Sequence, residues 1–575
     1  MSDTKIIEGI ALDPSNKKFF QAAELVLNTQ QDIIFLTGKA GTGKTTFLKY
    51  IREEYQDKVG NVIVLAPTGI AAVNAGGQTI HSFFNLRLAP HRIGNKNLTE
   101  PPIYSMPKYY KEKIDIINNL SLLIIDEVSM VRCDILDAID RILRVYRKNQ
   151  KPFGGVRALL IGDIFQLPPV VTSQDWSILK EDYSSEFFFA SHVYEENKNR
   201  VIHIELDKPY RQTESEFLDI LNNIRVKQVS DIDIQNLNKR YTKPDSDGAI
   251  ILASKNADVE EYNRRKYELI MSPEFIFKAV KTGSFDSEPA PSQLCLKVGA
   301  RVMILRNRYV GDHFEYFNGS IGTISKIDRD REVVNIQLPD KEVAVGPVTW
   351  ENYKYRWDPE NNRVCSEVIG TYTQLPLALA WAITIHKSQG LTFDKVYADL
   401  DRCFAPGQIY VALSRCRKLS GLYLKSPLCK ENLKVNDAVI EFSKQVTPDV
   451  LISKQIEWGK ADSLYKECRK ALWQNRPEEM LSNIDKAIRI RDDRDTPDYR
   501  RYVKTMLNLL HFKRKQSQEL FSQLQSEKKA NRNLSNKYNS VCKVCEDLKK
   551  ESAELKTEIE RLQSIKWYQK LFGKK

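Results

Sequence analysis

No stretch of this 575-residue chain is apolar for long enough to cross a bilayer. Its longest strongly apolar run, Leu377 to Ile385, falls far short of the ~20 residues that a spanning helix needs. The polar start Met1-Ser2-Asp3-Thr4-Lys5 lacks the apolar core of a signal peptide. Cysteine is sparse: nine residues, an odd number scattered from Cys133 to Cys545, suit a reducing compartment rather than a disulfide framework. Only Cys542 and Cys545 form a CxxC pair, and no His or Cys follows them, so a four-ligand zinc site is not expected. These absences predict a soluble intracellular protein. Residues 1 to 450 also lack a surplus of either charge, with 58 basic and 57 acidic side chains. The net charge of +12 therefore comes almost wholly from residues 451 to 575, with 29 basic and 18 acidic. A polyanion bound by the first 450 residues must be held by locally placed groups. The last 125 either add a salt-sensitive, sequence-blind attraction or present a solvated helical surface.

What is present is enough apolar residue, 42%, to build large cores, over a length that implies three or four domains. An amphipathic helix is predicted over 18 to 28, then a buried strand at Ile33-Ile34-Phe35-Leu36-Thr37. Short apolar strands recur at Val62 to Ala66, Leu122 to Ile125 and Ala158 to Ile161, with a helical segment at Asp134 to Tyr146, an alternation that predicts a parallel α/β sheet. A second set, Ile202 to Leu206, Ile250 to Ala253, Ala382 to Ile385 and Val396 to Ala398, predicts a second α/β domain. Between its parts, residues 297 to 372 read as a small all-β barrel, with a turn at Asn318-Gly319. Residues 456 to 511 read as a helical hairpin broken at Arg476-Pro477. Ten of thirteen positions spaced alternately by four and three from Leu520 to Leu562 are apolar, which predicts a coiled coil broken at Glu527, Asn531 and Ser552.

The chemistry begins at Gly38-Lys39-Ala40-Gly41-Thr42-Gly43-Lys44-Thr45, which matches GxxxxGK[ST] between a predicted strand and a predicted helix. Glycines let such a loop turn its N–H groups toward phosphate oxygens, Lys44 reaches the terminal phosphates, and the Thr45 hydroxyl suits Mg²⁺, with Thr46 following at the helix start. The strand at Leu122 to Ile125 ends in Asp126-Glu127, where Asp126 suits the metal's outer ligation and Glu127 suits polarising a water. Alone, an Asp-Glu after a strand is more often a helix cap. Gly162-Asp163-Ile164-Phe165-Gln166 follows the next strand, and Gln166 reads either as an amide sensing the γ-phosphate or as a loop cap.

Seven short motifs in order, among them Ala66-Pro67-Thr68-Gly69, Gln78 to Phe84, Gly162-Asp163 through Val170, Tyr210-Arg211-Gln212, Thr384 to Gly390 and Val411 to Arg415, resemble the superfamily 1B helicases over residues 15 to 426. Asp134 to Arg144 resembles the signature of the Pif1-like branch, with RecD-like relatives second. The resemblance implies two RecA-like domains, at 1 to 200 and at 201 to 296 with 373 to 426, and an SH3-like insertion at 297 to 372. To these the chain adds a linker at 427 to 455, a helical hairpin at 456 to 512, a coiled coil at 513 to 563 and a basic aromatic tail at 564 to 575. It implies ATP with Mg²⁺ as cofactors, Arg211 and Arg415 as the arginines that stabilise γ-phosphate charge, Gly390 beside the nucleotide, and an adenine-recognising glutamine assigned to Gln21. Family positions lining the nucleic-acid track match Pro67, Thr68, His81, Phe83, Thr384, His386 and Lys387. His81 and Phe83 read equally as core residues.

The function implied is an ATP-dependent DNA helicase moving 5′ to 3′ on single strands and acting at single- to double-strand junctions. Two rivals are a nucleotide-switched scaffold recruiting partners through its coiled coil and the same motor working on RNA/DNA hybrids. The coiled coil is expected to dimerise the chain or to fold back on the hairpin. Such a protein belongs in the cytoplasm, at the nucleoid of a bacterium, without excluding the nucleus.

Overall fold

The structure is a computed structural model that describes the chain except for residues 1–5, 8–9, 12, 30, 40, 59, 88, 92–108, 209, 211–213, 243–247, 286–287, 311–312, 317, 359, 362, 404, 531–534 and 564–575. Ala40, Arg211 and the basic tail thus lie outside the described residues. The chain divides into two compact units, residues 1–27 with 31–448, and 449–575 with residues 28–30.

In the first unit a short antiparallel pair, Ile6–Ile7 with Ile10–Ala11, precedes helix α1 (Lys17–Asn28) and a six-stranded, all-parallel sheet. Its strands are β1 (Ile33–Gly38), β2 (Asn61–Ala66), β3 (Gln78–Thr79), β4 (Leu120–Ile125), β5 (Arg157–Ile161) and β6 (Ile202–Leu206), in the order β3-β2-β4-β5-β1-β6. Their near-continuous apolar sequence follows from burial on both faces. Helix α2 (Lys44–Lys58) follows β1, and the loop between them sits at the carboxyl edge of the sheet, where open α/β sheets bind ligands. The strand Ile202–Leu206 corrects the expected division at residue 200. It pairs with β1, Ile34 opposite Ile202 through Gly38 opposite Leu206, and so completes the first sheet rather than starting the second.

Helix α3 (Cys133–Arg147) carries the segment that resembles the branch signature, and its three acids three residues apart are buried. Asp134 accepts from the N–H of His91 and from Arg132, Asp137 from the N–H groups of His192 and Val193, and Asp140 from Phe153 N–H and Arg144. Each buried carboxylate is thereby satisfied, and each ties a separate loop to one helix.

After helix α4 (Ser215–Arg225) a second parallel sheet begins with β7 (Ile250–Ala253). A β-rich insertion follows: β8 (Arg301–Ile304), β9 (Ile321–Asp328), β10 (Val333–Gln337), β11 (Glu342–Val345), the long hairpin β12 (Val348–Asp358) and β13 (Arg363–Gln374), then β14 (Leu377–Leu379). Strands β11-β10-β9-β8-β14 form one antiparallel sheet, so the insertion reaches past residue 372. It also starts before 297, because Glu274–Lys278 pairs with Gln293–Lys297 and Val280–Gly283 pairs with β13. The long hairpin lies on the first domain: the N–H of Val64 donates to Tyr355 Oη at 3.0 Å, and Gln78 Nε2 donates to the carbonyl of Tyr353 at 2.7 Å. The second sheet is completed by β15 (Ala382–Thr384), β16 (Val396–Asp399) and β17 (Leu422–Leu424), in the order β15-β7-β16-β17, with helix α5 (Gln408–Ser414) between its last two strands. Most of the expected linker belongs to this unit's core. Leu428, Leu433, Val439 and Phe442 are buried, and Phe442 stacks on Phe189 at 4.2 Å, so residues 427–442 pack on this unit rather than forming a spacer.

The second unit is helical: α6 (Asp449–Trp473), α7 (Pro477–Ile490), α8 (Pro497–Ala530) and α9 (Ser535–Gln563). Pro477 opens α7, where its missing N–H costs no helical hydrogen bond, so the hairpin turns at Arg476-Pro477 as predicted. The predicted coiled coil is divided between two helices, α8 and α9, rather than running through one. Leu555 of α9 packs with Cys468, Ala471, Leu472, Met480 and Met506, and Ile559 packs with Tyr465 and Tyr499. Helix α9 thus folds back on α6 to α8. Among the described residues, no helix is long and apolar enough to cross a membrane.

Candidate functional site

The loop from Gly38 to Thr45 turns through Gly41 at φ 82° and Gly43 at φ 90°, a left-handed region that a side chain would resist. A Cβ on Gly38 would lie 2.9 Å from the carbonyl oxygen of Leu206, so that position admits no larger residue. Lys44 donates to the carbonyls of Gly38 at 2.7 Å and Lys39 at 3.1 Å, which holds its ammonium inside the loop. Thr42 is buried, while Thr45 is exposed and Thr46 half-buried on the first turn of α2.

Two residues that sequence reasoning did not assign to the site flank this loop. The N–H of Tyr210 donates to the carbonyl of Gly41 at 2.8 Å, and its ring passes 3.8 Å from where a Cβ of Gly43 would stand. Asn16 Nδ2 donates to Tyr210 Oη at 2.9 Å while its Oδ1 caps α1 by accepting from Phe19 N–H. Gln21 lies half-buried further along α1. The Asn16 cap just ahead of the helical pattern was the available signal.

Asp126 and Glu127 leave the end of β4 toward the loop. Glu127 holds φ 50° and ψ 44°, a strained conformation for a residue with a side chain, and Asp126 Oδ1 accepts from its N–H. Burial, helped by the Glu127 charge, pushes the Asp126 carboxyl up to about 7. Burial raises Glu127 as well, opposed by the charges of Lys44 and Arg415. Two crowded acids that resist ionisation suit a place where a cation and a lysine arrive together.

The second sheet supplies the opposite side. Gln389 Nε2 donates to Glu127 Oε2 at 2.9 Å and lies 3.3 Å from Gln166 Oε1. Arg415, at the end of α5, is 1% exposed. Its guanidinium donates to the carbonyls of Val411, Ser388 and Leu391 and to Ser414 Oγ, and its charge acts on Glu127. Gly390 takes φ 81°, which keeps the turn beside Gln389 open. Glu127, Gln166 and Arg415 are therefore brought together, and Gln389 joins them although only its glycine neighbour was singled out.

The expected nucleic-acid residues divide. Pro67 and His81 are half-buried and Thr68, His386 and Lys387 are exposed, with Thr68 also capping the helix that starts at Gly69. Thr384 is buried and its hydroxyl accepts from Lys387 N–H. Phe83 is a correction: it is wholly buried, edge-on to Phe84 at 4.8 Å and 6.0 Å from Tyr355, with the Lys113 ammonium over its ring. In this arrangement it belongs to the core and cannot stack on a base. Among the described residues no cluster of three or more His, Cys, Asp or Glu could hold a metal ion. Nucleotide-bound Mg²⁺ draws most of its ligands from phosphate and water, so the few oxygen donors offered by Thr45 and Asp126 fit it.

Two parallel sheets facing one phosphate loop, with an acid, an amide and an arginine converging from both sides, define a nucleotide-driven two-domain motor of the P-loop class. The model of the PIF1-like helicases matches residues 11–235, and that of the UvrD-like helicase C-terminal domain matches residues 379–423. The chain is 31% identical over 435 residues to the ATP-dependent DNA helicase Pif1 of Bdellovibrio bacteriovorus, spanning 74% of this chain and 91% of that one. Its fold is similar to that of Bacteroides sp Pif1 in complex with ADP-AlF4, with TM-score 0.68, 39% identity, and coverage of 74% of this chain and 96% of that one. Bacteroides Pif1 bound to ssDNA matches at 40% identity and the same coverage, with TM-score 0.51. The chain belongs to the PIF1-like helicase family.

Proposed function

We propose that the chain is an ATP-dependent DNA helicase that moves 5′ to 3′ along a single strand and separates duplexes at single- to double-strand junctions. The observation that carries this reading is the bridge from Glu127 through Gln389 to Gln166. It makes the water-polarising acid of the first sheet depend on an amide of the second, so hydrolysis and domain approach are linked. The loop N–H groups and Lys44 bind the phosphates, Thr45 and Asp126 would hold Mg²⁺, and Glu127 accepts the proton of the attacking water. Bound Mg²⁺ supplies charge neutralisation on the terminal phosphates. Arg415 and Arg211 stabilise the charge that develops there. Asn16 and Tyr210 wall the base side of the site in preference to Gln21. Thr68, His386 and Lys387 contact the strand's phosphates, and the β-rich insertion fills the place of the family's SH3-like subdomain.

The scaffold reading is disfavoured because Glu127, Gln166 and Arg415 converge on one site, an arrangement that a switch without turnover does not need. The test is ATP turnover with and without single-stranded DNA, and unwinding of a duplex with a 5′ tail against one with a 3′ tail. Turnover should rise with DNA, only the 5′-tailed duplex should open, and Lys44→Ala should abolish both activities. Turnover indifferent to single-stranded DNA at low salt would refute the motor. Faster opening of a matched RNA/DNA hybrid would favour the third reading.

A further inference from the structure

Asp163 is wholly buried and accepts from four donors. These are the N–H of Phe165 at 3.2 Å, Gln166 Nε2 at 3.1 Å, Tyr410 Oη at 3.5 Å and Arg225 Nη2 at 3.5 Å. Arg225 is 7% exposed, closes α4, donates to Glu205 Oε1 at 2.9 Å, and lies 4.4 Å from the centre of the Phe165 ring. Helix α4 packs on α5, which carries Tyr410 and leads to Arg415. At the start of α5, Gly407 touches the same loop so closely that a Cβ would fall 2.4 Å from the carbonyl oxygen of Gln166. The loop after β5 is therefore gripped by the second sheet's helices through a cation, a hydroxyl and a backbone contact.

The chemistry of the groups fixes a direction along this chain of contacts. An ionised carboxylate only accepts, so Gln166 must turn its NH₂ toward Asp163 and its carbonyl oxygen away. That oxygen then asks for a donor, and Gln389 answers with the same NH₂ that donates to Glu127 Oε2. A buried carboxylate needs a paired charge, and Arg225, with Nη2 3.5 Å from Oδ1, supplies it. We propose that Arg225 is a positioning residue for ATP hydrolysis, which sets the amides of Gln166 and Gln389 through Asp163 and so aims one fixed donor at Glu127. With Glu127 Oε2 occupied, Oε1 is the oxygen left to take the water's proton. Arg225 touches no substrate and should leave nucleotide binding alone.

This inference rests on the roles given above to Glu127 and Gln166. In the full chain, at saturating single-stranded DNA, Arg225→Met should lower kcat for ATP at least tenfold. KM for ATP should stay within threefold, and bound-nucleotide stoichiometry should remain one per chain. Arg225→Lys, which restores the charge, should recover kcat to within threefold of the parent protein. Added to Gln166→Ala, Arg225→Met should cost nothing further in kcat, because its route to Glu127 is already cut. An equal loss in both backgrounds would overturn the proposal, as would a kcat within twofold of the parent or a loss confined to KM. If Arg225→Met binds no nucleotide, the same comparison with Tyr410→Phe, which removes one donor to Asp163, decides it. There a kcat loss should vanish on Gln166→Ala, and a loss that persists refutes the relay. Absence of DNA-stimulated turnover in the parent protein would sink the helicase reading instead.

Discussion

Glu127 carries both strain and burial, and neither shows in the letters Asp-Glu after a strand. Its left-handed backbone aims the carboxylate back toward Lys44, and the donor from Gln389 fixes one oxygen. Glu127→Gln keeps the shape and removes the base, so ATP turnover should fall by about 10²- to 10⁴-fold while ATP binding persists. Steady-state turnover beside equilibrium nucleotide binding checks both halves. A second residue shows what burial does away from the site. His203 is 3% exposed between Phe35 and Phe442, and burial pushes its imidazole down to about 4 from 6.5. Between those values the unfolded chain takes up a proton there that the folded protein refuses, so stability should fall as pH drops through that window. His203→Phe should raise the melting temperature more at pH 5.5 than at pH 7.5, and an equal shift at both would contradict the neutral buried ring. Motif residues were legible where chemistry dictates spacing, as at Gly38 to Thr45. Phe83 was not, because an aromatic in a motif reads the same whether it stacks on a base or on Tyr355.

At the scale of elements, strands were visible as apolar runs, but their partners were not. Ile202-His203-Ile204-Glu205-Leu206 would suit either parallel sheet, and only the closed register with β1 decides its place. The hairpin of β12 and β13 was likewise read as part of a self-contained barrel, yet it docks on β2. The short strand β3 covers only Leu65 and Ala66, and Tyr355 Oη satisfies both the N–H and the carbonyl of Val64 beside them. Tyr355→Phe would strand both groups in a buried place, for which a loss of about 1–3 kcal/mol is expected in chemical denaturation. Helix α8 offers a different test. From Tyr499 to Gln518 it holds six Lys or Arg and no acid, and Arg501, Lys504, Arg514 and Lys515 are exposed. If that face meets the backbone of bound DNA, reversing these four to Glu should weaken single-strand binding and flatten its dependence on salt. With a slope of about 0.7 per phosphate contact, losing two or more is measurable by titration at several salt concentrations. An unchanged slope would leave the face as a solvated surface.

For the whole molecule, one apolar seam could have served two architectures, and the occupant of that seam decides between them. The spacing from Leu520 to Leu562 is equally compatible with pairing between two chains and with packing inside one. The described contacts run antiparallel within the chain: Ser517 Oγ lies 3.5 Å from Cys545 Sγ, Met506 shares a core cluster with Leu555, and Ile559 packs on the cluster that holds Tyr499. Leu555 is 6% exposed, so that part of the seam is covered within the chain, while Leu520 at the seam's start is 51% exposed. Sequence could not settle this, because a seam pattern records which face is apolar and not what it meets. Burying Leu555 inside one chain takes from a parallel dimer the apolar area it would gain there, since the same leucine cannot be buried twice. Sedimentation velocity of the full protein should therefore give the mass of one chain, 66.4 kDa, across the micromolar range. Leu555→Ala with Ile559→Ala should loosen α9, seen as faster proteolysis in α8 and α9, without creating a dimer. A mass of two chains that falls to one on the same substitutions would instead assign the seam to self-association.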